Sequence, residues 1–365
     1  MDKVKITNHQ LFSLAANGSI GGTIIVIPAV IASIAKQDAW IVALLTPIFG
    51  ILVIWIYWFL GSRYPGMTFI EITKNIFGKW FSLIVAAGFV FLCLTSAYNL
   101  PWYIGNFITI VALPETPAYF INIFFVTAVV IALLYGIETI ARTSELFLYF
   151  ASILFFLAMI LVSPNVRVEN LQPVFEKGII PILKGSVLLS CFLTFPLIIL
   201  MMIYPINIYN ISGAKKSLFK GYLWACFIIF TAIIMSILIL GSAITAKSQY
   251  PAYLLAQEIN VGIIFTRLEF IIAAIWIVTQ FMIDVLFFYA GVIGLSQLLG
   301  LKNHKKIVVP LGLIILVMSG VVFPDAVYQV NWVNTVWIPY IITYGLILPV
   351  SLLVVFLIKR HVRRE

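Results

Sequence analysis

One acid stands alone in a long apolar stretch: Asp284, in the run Gln280-Phe281-Met282-Ile283-Asp284-Val285. An aspartate at the centre of a membrane helix costs about 2.5–3.5 kcal/mol on insertion scales. Trp276, Gln280, Asp284 and Phe288 recur every four residues, so they share one helix face, with Thr279 beside them. An acid on such a face carries a proton, meets a cation, binds an amine or bonds to a neighbouring helix. Residue type alone leaves these four open.

A second candidate is Asn17-Gly18-Ser19-Ile20-Gly21-Gly22-Thr23. Glycine weakens a helix by roughly 1 kcal/mol relative to alanine, and three fall within five residues here. Pro28 follows, and its ring conflicts with the carbonyl of Ile24. Unwound backbone is tolerated in a membrane only where it lines a cavity or is buried in protein. The half-helix that starts after it presents a partial positive charge suited to a carboxylate. The alternative is a close helix contact, with Gly18 and Gly22 as a small-xxx-small face. A weaker counterpart reads Ser190-Cys191-Phe192-Leu193-Thr194-Phe195-Pro196. Pro196 frees the carbonyl of Phe192, which Ser190 and Thr194 could re-satisfy, unless this is a simple kink.

Tyr98, Asn99, Trp102, Tyr103 and Asn106 flank Pro101 and suit either a ligand pocket or an interfacial belt. Glu138, Arg142 and Glu145 read as a solvated ion-pair face, and Arg267 with Glu269 as interfacial charges or a gate. Cys93, Cys191 and Cys226 fall in apolar segments and read as packing residues. No CxxC, histidine cluster, phosphate loop or nucleophile elbow is present, so no catalytic residue, metal or cofactor is expected.

The elements that hold these residues follow from composition. Of 365 residues, 63% are hydrophobic and 10% charged, with mean hydropathy +1.14. An ordinary soluble domain carries about 25% charged residues. The chain therefore excludes disorder, nucleic-acid binding and most soluble enzymes. A spanning helix needs roughly 20 apolar residues. Ten such stretches are predicted: 10–35, 39–60, 80–112, 117–136, 144–163, 182–209, 218–245, 266–300, 306–323 and 332–358. Barrel-type alternation is absent, and the first span is too long for a cleaved signal core.

With the N-terminus in the cytoplasm, only Lys36, Arg167, Lys177, Lys184, Lys247 and Arg267 of the 22 basic residues fall outside. That bias predicts both termini inside and explains the net charge of +9 as topology and anionic lipid. Ten spans divide into five plus five, and the third span of each half is long and follows a long, partly amphipathic loop, 61–79 and 246–265. This predicts one integral membrane domain over 1–365, all-α, with an inverted repeat, 10–163 and 182–358.

The residues also resemble the GerAB family of spore-germination proteins, itself similar to amino-acid permeases. The resemblance rests on Gln10 through Pro28, Asp38-Ala39-Trp40-Ile41, Gly78-Lys79-Trp80 and Asn170-Leu171-Gln172-Pro173-Val174 with Gly178 and Pro181. Ile239-Leu240-Gly241, Arg267-Leu268-Glu269, Trp276 and the basic tail extend it over the whole chain. It implies a LeuT-like fold with first and sixth helices broken, and a place in the spore inner membrane or cell membrane. It implies an A-type membrane subunit and a C-type lipoprotein as partners, and a small nutrient, commonly an amino acid, as ligand. It carries the substrate-carboxylate role onto Gly18, Ser19, Ile20, Gly21 and Gly22. The permeases' sixth-span glycine has no counterpart here. Tyr98, Tyr103, Ser190, Thr194 and Gln280 complete the candidate pocket, with Asp284 for ion or proton coupling on physical grounds alone. Two functions are expected to compete: a nutrient receptor, and a proton-coupled amino-acid transporter.

Overall fold

Thr7 opens the first helix with a capping box: its hydroxyl accepts from Gln10 N at 3.1 Å, and the Gln10 side chain accepts from Thr7 N at 2.9 Å. Two donors that a helix start leaves bare are thereby satisfied. The computed structural model describes residues 5–258 and 269–362. Lys3, Arg267, Arg363 and Arg364, counted in the charge bias, lie outside the described residues.

α1 (Asn8–Ile20) stops at Gly21, and α2 (Thr23–Ala35) restarts after Gly22. A tight turn, Lys36–Asp38, leads into α3 (Ala39–Arg63). The loop that follows holds the amphipathic α4 (Phe69–Phe77), then come α5 (Lys79–Val111), α6 (Ala118–Tyr135) and α7 (Ile137–Val162). The sixth span begins as α8 (Ile179–Leu193), tightens into a 3₁₀ stretch, Phe195–Met202, and ends in α9 (Tyr204–Asn207). α10 (Ile211–Lys247), α11 (Pro251–Gln257), α12 (Glu269–Leu298) and α13 (Val308–Val321) follow. The last span is α14 (Ala326–Trp332), α15 (Ile338–Ile342) and α16 (Leu348–Val362), joined by π-turns at Val333–Trp337 and Thr343–Ile347. Among the described residues the only bridge outside the helices pairs Ile6 with Ile208.

Nine helical runs among the described residues are long and apolar enough to cross a membrane. The tenth predicted span is hidden in that count. α1 has only 13 residues, and α2 runs on through the turn into α3. The predicted edges move outward where charge permits. Span five starts at Ile137 rather than 144, because Arg142 pairs with Glu138 one turn away at 2.5 Å. Span seven starts at Ile211 rather than 218, with Lys215, Lys216 and Lys220 exposed on opening turns that outrun the hydrocarbon.

α12 is the central helix: every residue from Met282 to Val292 is buried, and it packs against α1, α5, α6 and α7. The lipid-facing helices instead expose large apolar side chains, such as Trp80, Phe124 and Leu146.

The polar segment between spans five and six is strapped across one end of the bundle. Asn170 Nδ2 donates to Leu238 O at 2.9 Å, and Arg167 N to the same oxygen at 3.0 Å. These donors stand in for the helix donor lost where Gly241 leaves helical geometry at φ 76°. The Asp38 carboxylate accepts from Phe175 N, and Gln37 Nε2 donates to Pro173 O and Glu176. The Gln37 amide, then the Lys36 ammonium 3.6 Å away, hold the Glu176 carboxyl below the usual carboxylate range.

Candidate functional site

The first span breaks where its glycines are, and the freed backbone groups are met by side chains from elsewhere. Gly21 N still closes on Asn17 O at 2.9 Å, but the helix does not continue. Thr279 Oγ1 lies 3.3 Å from Gly21 O, so α12 reaches the break. Thr23 Oγ1 donates to Ser19 O at 3.0 Å and lies 3.4 Å from Phe192 O. Phe192 O is the carbonyl that Pro196 deprives of a donor, so one hydroxyl ties the two broken spans together. α2 begins at Thr23, and its N-cap, Gly22, offers no side chain to the first amides.

The α12 face closes over this start. A β-carbon at Gly22 would stand 2.8 Å from Gln280 Oε1, and one at Gly21 would stand 2.8 Å from Ile283 Cγ2. Gly18 is looser, 3.2 Å from Leu197 on the same terms. Both readings of the glycine cluster therefore hold at once: it is a close helix contact and a backbone break. Ser19 and Ile20 are fully buried beside it.

Of the buried side-chain polar atoms without partners among the described residues, eight fall on three helices near the break: Asn17 Oδ1 and Ser19 Oγ on α1, Asn99 Oδ1 and Nδ2 on α5, and Trp276 Nε1, Gln280 Oε1 and both Asp284 oxygens on α12; Asn8 Oδ1, Ser296 Oγ and the indole N–H groups of Trp40, Trp58 and Trp337 are the others. α12 packs directly on both other helices. Buried polar groups are nearly always bonded, so a concentration of orphans needs an explanation. Asp284 is 1% exposed. Among the described residues it has no basic side chain in salt-bridge range. A carboxyl so placed is settled by a proton or by a cation that the protein does not itself supply.

Other candidates are placed elsewhere. Ser190 donates to Ser186 O at 2.8 Å within its own helix, and Thr194 shares a 2.8 Å bond with Tyr222. Tyr103 takes a hydrogen bond from Gln329 at 2.5 Å and packs with Trp102 and Phe323, closing α5 against α14. Tyr98 is half-buried on α5. Glu269 is buried at the head of α12, and Arg267 lies outside the described residues. The pair Glu138 and Arg142 is an exposed surface contact, while Glu145 bonds His9 at 2.6 Å and so ties α7 to α1. The three cysteines are buried and free. No group of three or more His, Cys, Asp or Glu stands together among the described residues.

Sequence reasoning passed over two residues at the sixth-span break. Tyr57 Oη donates to Gly345 O and lies 3.4 Å from Phe195 O, bridging the 3₁₀ stretch and the last span. Tyr222 reaches Thr194 from α10. No local pattern announces either one, since each acts on backbone more than 100 residues away, or on a neighbour brought near only by folding.

A family model described as spore germination protein matches residues 5–327. The chain is 27% identical to spore germination protein KB of Bacillus subtilis (strain 168) over 100% of its own length and 98% of that protein. It is 24% identical to spore germination protein YndE of the same organism, covering 80% of this chain and 81% of the other. Among solved structures it resembles a nucleobase-cation-symport-1 family transporter, in a closed conformation with bromovinylhydantoin bound, at TM-score 0.62 and 12% identity. That match covers 94% of this chain and 79% of the transporter. It also resembles MhsT in complex with L-phenylalanine, at TM-score 0.58 and 15% identity, covering 95% and 97%. These neighbours identify the fold as LeuT-like.

Proposed function

The chain belongs to the spore germination protein family, and on that premise we propose that it is the B-type subunit of a nutrient-germinant receptor. It binds a small nutrient, an amino acid foremost, in a permease-like pocket near the bilayer midplane. It signals through an A-type membrane subunit and a C-type lipoprotein. It sits in the spore inner membrane with both termini in the cytoplasm, an orientation that the basic bias of its loops supports. Its two inverted repeats are 10–163 and 182–358.

The observation that carries this reading is the uncapped start of α2 at Gly22, with the Gln280 carboxamide oxygen lying against it. A ligand carboxylate bound to those first amides displaces Gln280, which then meets the ligand with its own amide. Gly18, Ser19, Ile20, Gly21 and Gly22 form the carboxylate end. Tyr98, Tyr103, Ser190 and Thr194, with the last three bonded elsewhere, are not assigned to this end of the pocket. The family is receptor- or permease-like rather than enzymatic, and no residue here is assigned to bond-making chemistry. Deletion spores tested on a nutrient panel should lose the response to one nutrient class. Unchanged responses to every nutrient would reject the reading.

A second reading, a proton-coupled amino-acid transporter, is favoured by one feature: Asp284 with both oxygens unpaired at the centre of the fold. Protein reconstituted in liposomes should then accumulate labelled amino acid under a proton gradient. A nutrient that binds without being taken up decides for the receptor.

A further inference from the structure

Near the end of α3 an ammonium lies over the face of an indole whose N–H has no acceptor. Lys215 Nζ lies 5.0 Å from the Trp58 ring centroid and 5.9 Å from that of Phe219. Trp58 Nε1 is buried and has no hydrogen-bond partner. Five residues beyond Trp58, Arg63 stands over the Phe59 ring at 5.1 Å. Lys5 stands over Tyr209 at 4.9 Å, in the segment that joins α9 to α10. The chain is brought together here by backbone: Ile6 N donates to Asn207 O, and Gly66 N to Pro205 O. All four of Lys5, Arg63, Lys215 and the neighbouring Lys216 are exposed, and none forms an ion pair among the described residues.

Topology alone asks for basic residues on one side of a membrane, but it does not ask for this arrangement. Cations stacked on rings at a helix end sit at headgroup depth, where ring and charge are both accommodated. An indole N–H is a donor only, and an ammonium is a donor only. Their common complement is an oxyanion. Asn210 already caps the start of α10 through Ser212 N and Gly213 N, so the backbone there is not the group in need. The guanidinium of Arg63 adds a planar fork that matches phosphate oxygens in pairs.

We propose that Trp58, Arg63 and Lys215 hold the phosphate of an anionic phospholipid, at the membrane face that carries the N-terminus. The lipid's phosphate takes the Lys215 ammonium and the Trp58 N–H, Arg63 takes a second phosphate oxygen, and the acyl chains run along the exposed apolar side of α3. That side is furnished by Ile48, Leu52 and Trp55, all exposed. The site lies away from the nutrient pocket, so it stands or falls independently of the germinant reading.

The test uses the full chain in nanodiscs of phosphatidylcholine doped with phosphatidylglycerol, with bound lipid counted by native mass spectrometry. Phosphatidylglycerol should be enriched over phosphatidylcholine on the native chain. Each cation removed, in Arg63→Gln or Lys215→Gln, should lower that enrichment about fivefold, from the ordinary worth of one basic side chain at a lipid surface. Lys215→Arg should retain it. Trp58→Phe, which keeps the ring and loses the N–H, should lower it while leaving the thermal midpoint unchanged. Lys247→Gln, at the far end of α10, should change nothing. Equal retention of both lipids by the native chain overturns the proposal. So does enrichment that survives the double variant Arg63→Gln, Lys215→Gln, and so does enrichment abolished by soluble inorganic phosphate at the same concentration.

Discussion

The side-chain oxygen of Gln280 occupies the space that a β-carbon on Gly22 would need, 2.8 Å from its position. The broken first span and the central helix are therefore fitted to each other at the break itself.

Gly22→Ala should cost little stability, because the obstructed atom is the far end of a flexible side chain, but it should shift nutrient sensitivity. Gly21→Ala meets the branched Ile283 at its stem and should lower stability by about 1–3 kcal/mol. Thermal melting in detergent separates the two. Gln280→Ala alone should weaken the nutrient response, and adding Gly22→Ala to it should shift that response no further, if the alanine methyl acts through Gln280. A second shift in the double variant counts against the fit.

Asp284→Asn keeps the shape and removes the charge. Since neither oxygen has a partner, stability should be unchanged or higher. Germination or uptake should fall by about tenfold or more, a loss of ~1.4 kcal/mol in coupling. Full function in the Asn variant would reduce Asp284 to a packing residue.

Tyr57→Phe deletes the bridge from α3 to Gly345 and Phe195. The freed carbonyls are buried, so the cost should be about 1–3 kcal/mol. Hydrogen exchange should quicken on both sides of that bridge, in 195–202 and in 343–347. Faster exchange in one segment alone would mean that Tyr57 does not join them.

Asn170→Ala removes one of two donors to Leu238 O and leaves Arg167 N in place. About 1 kcal/mol should be lost, with faster amide exchange confined to the neighbourhood of Gly241.

The Glu176 contact should be acid-sensitive. Its carboxyl is held low in the folded chain, so the contact contributes above the ordinary carboxylate range and is lost as pH falls through the lowered value. Limited proteolysis of 163–178 should therefore accelerate at acid pH, and Lys36→Gln should move that onset to higher pH. An onset that Lys36→Gln leaves in place would assign the sensitivity to another group.

The spans, the break at Gly21-Gly22 and the isolation of Asp284 were legible in the chain itself. Each is a one-dimensional property: a run of apolar length, a cluster of helix-weakening residues, a charge with none near it in sequence. The motifs Asp38 and Asn170 were legible as words but not as meanings. Only in three dimensions does Asp38 receive Phe175 N, and Asn170 replace the donor missing at the Gly241 kink.

What the tertiary structure decided is who answers each freed backbone group. Pro196 promised an orphaned carbonyl at Phe192, and Ser190 and Thr194 were the local candidates to satisfy it. Instead Ser190 bonds within its own turn, Thr194 turns to Tyr222, and Thr23 from the other broken span approaches Phe192 O. Sequence fixes which backbone groups lose their helical partners, because that depends on glycine and proline. The replacement partner depends on which helices lie side by side, and no stretch of sequence contains that distance.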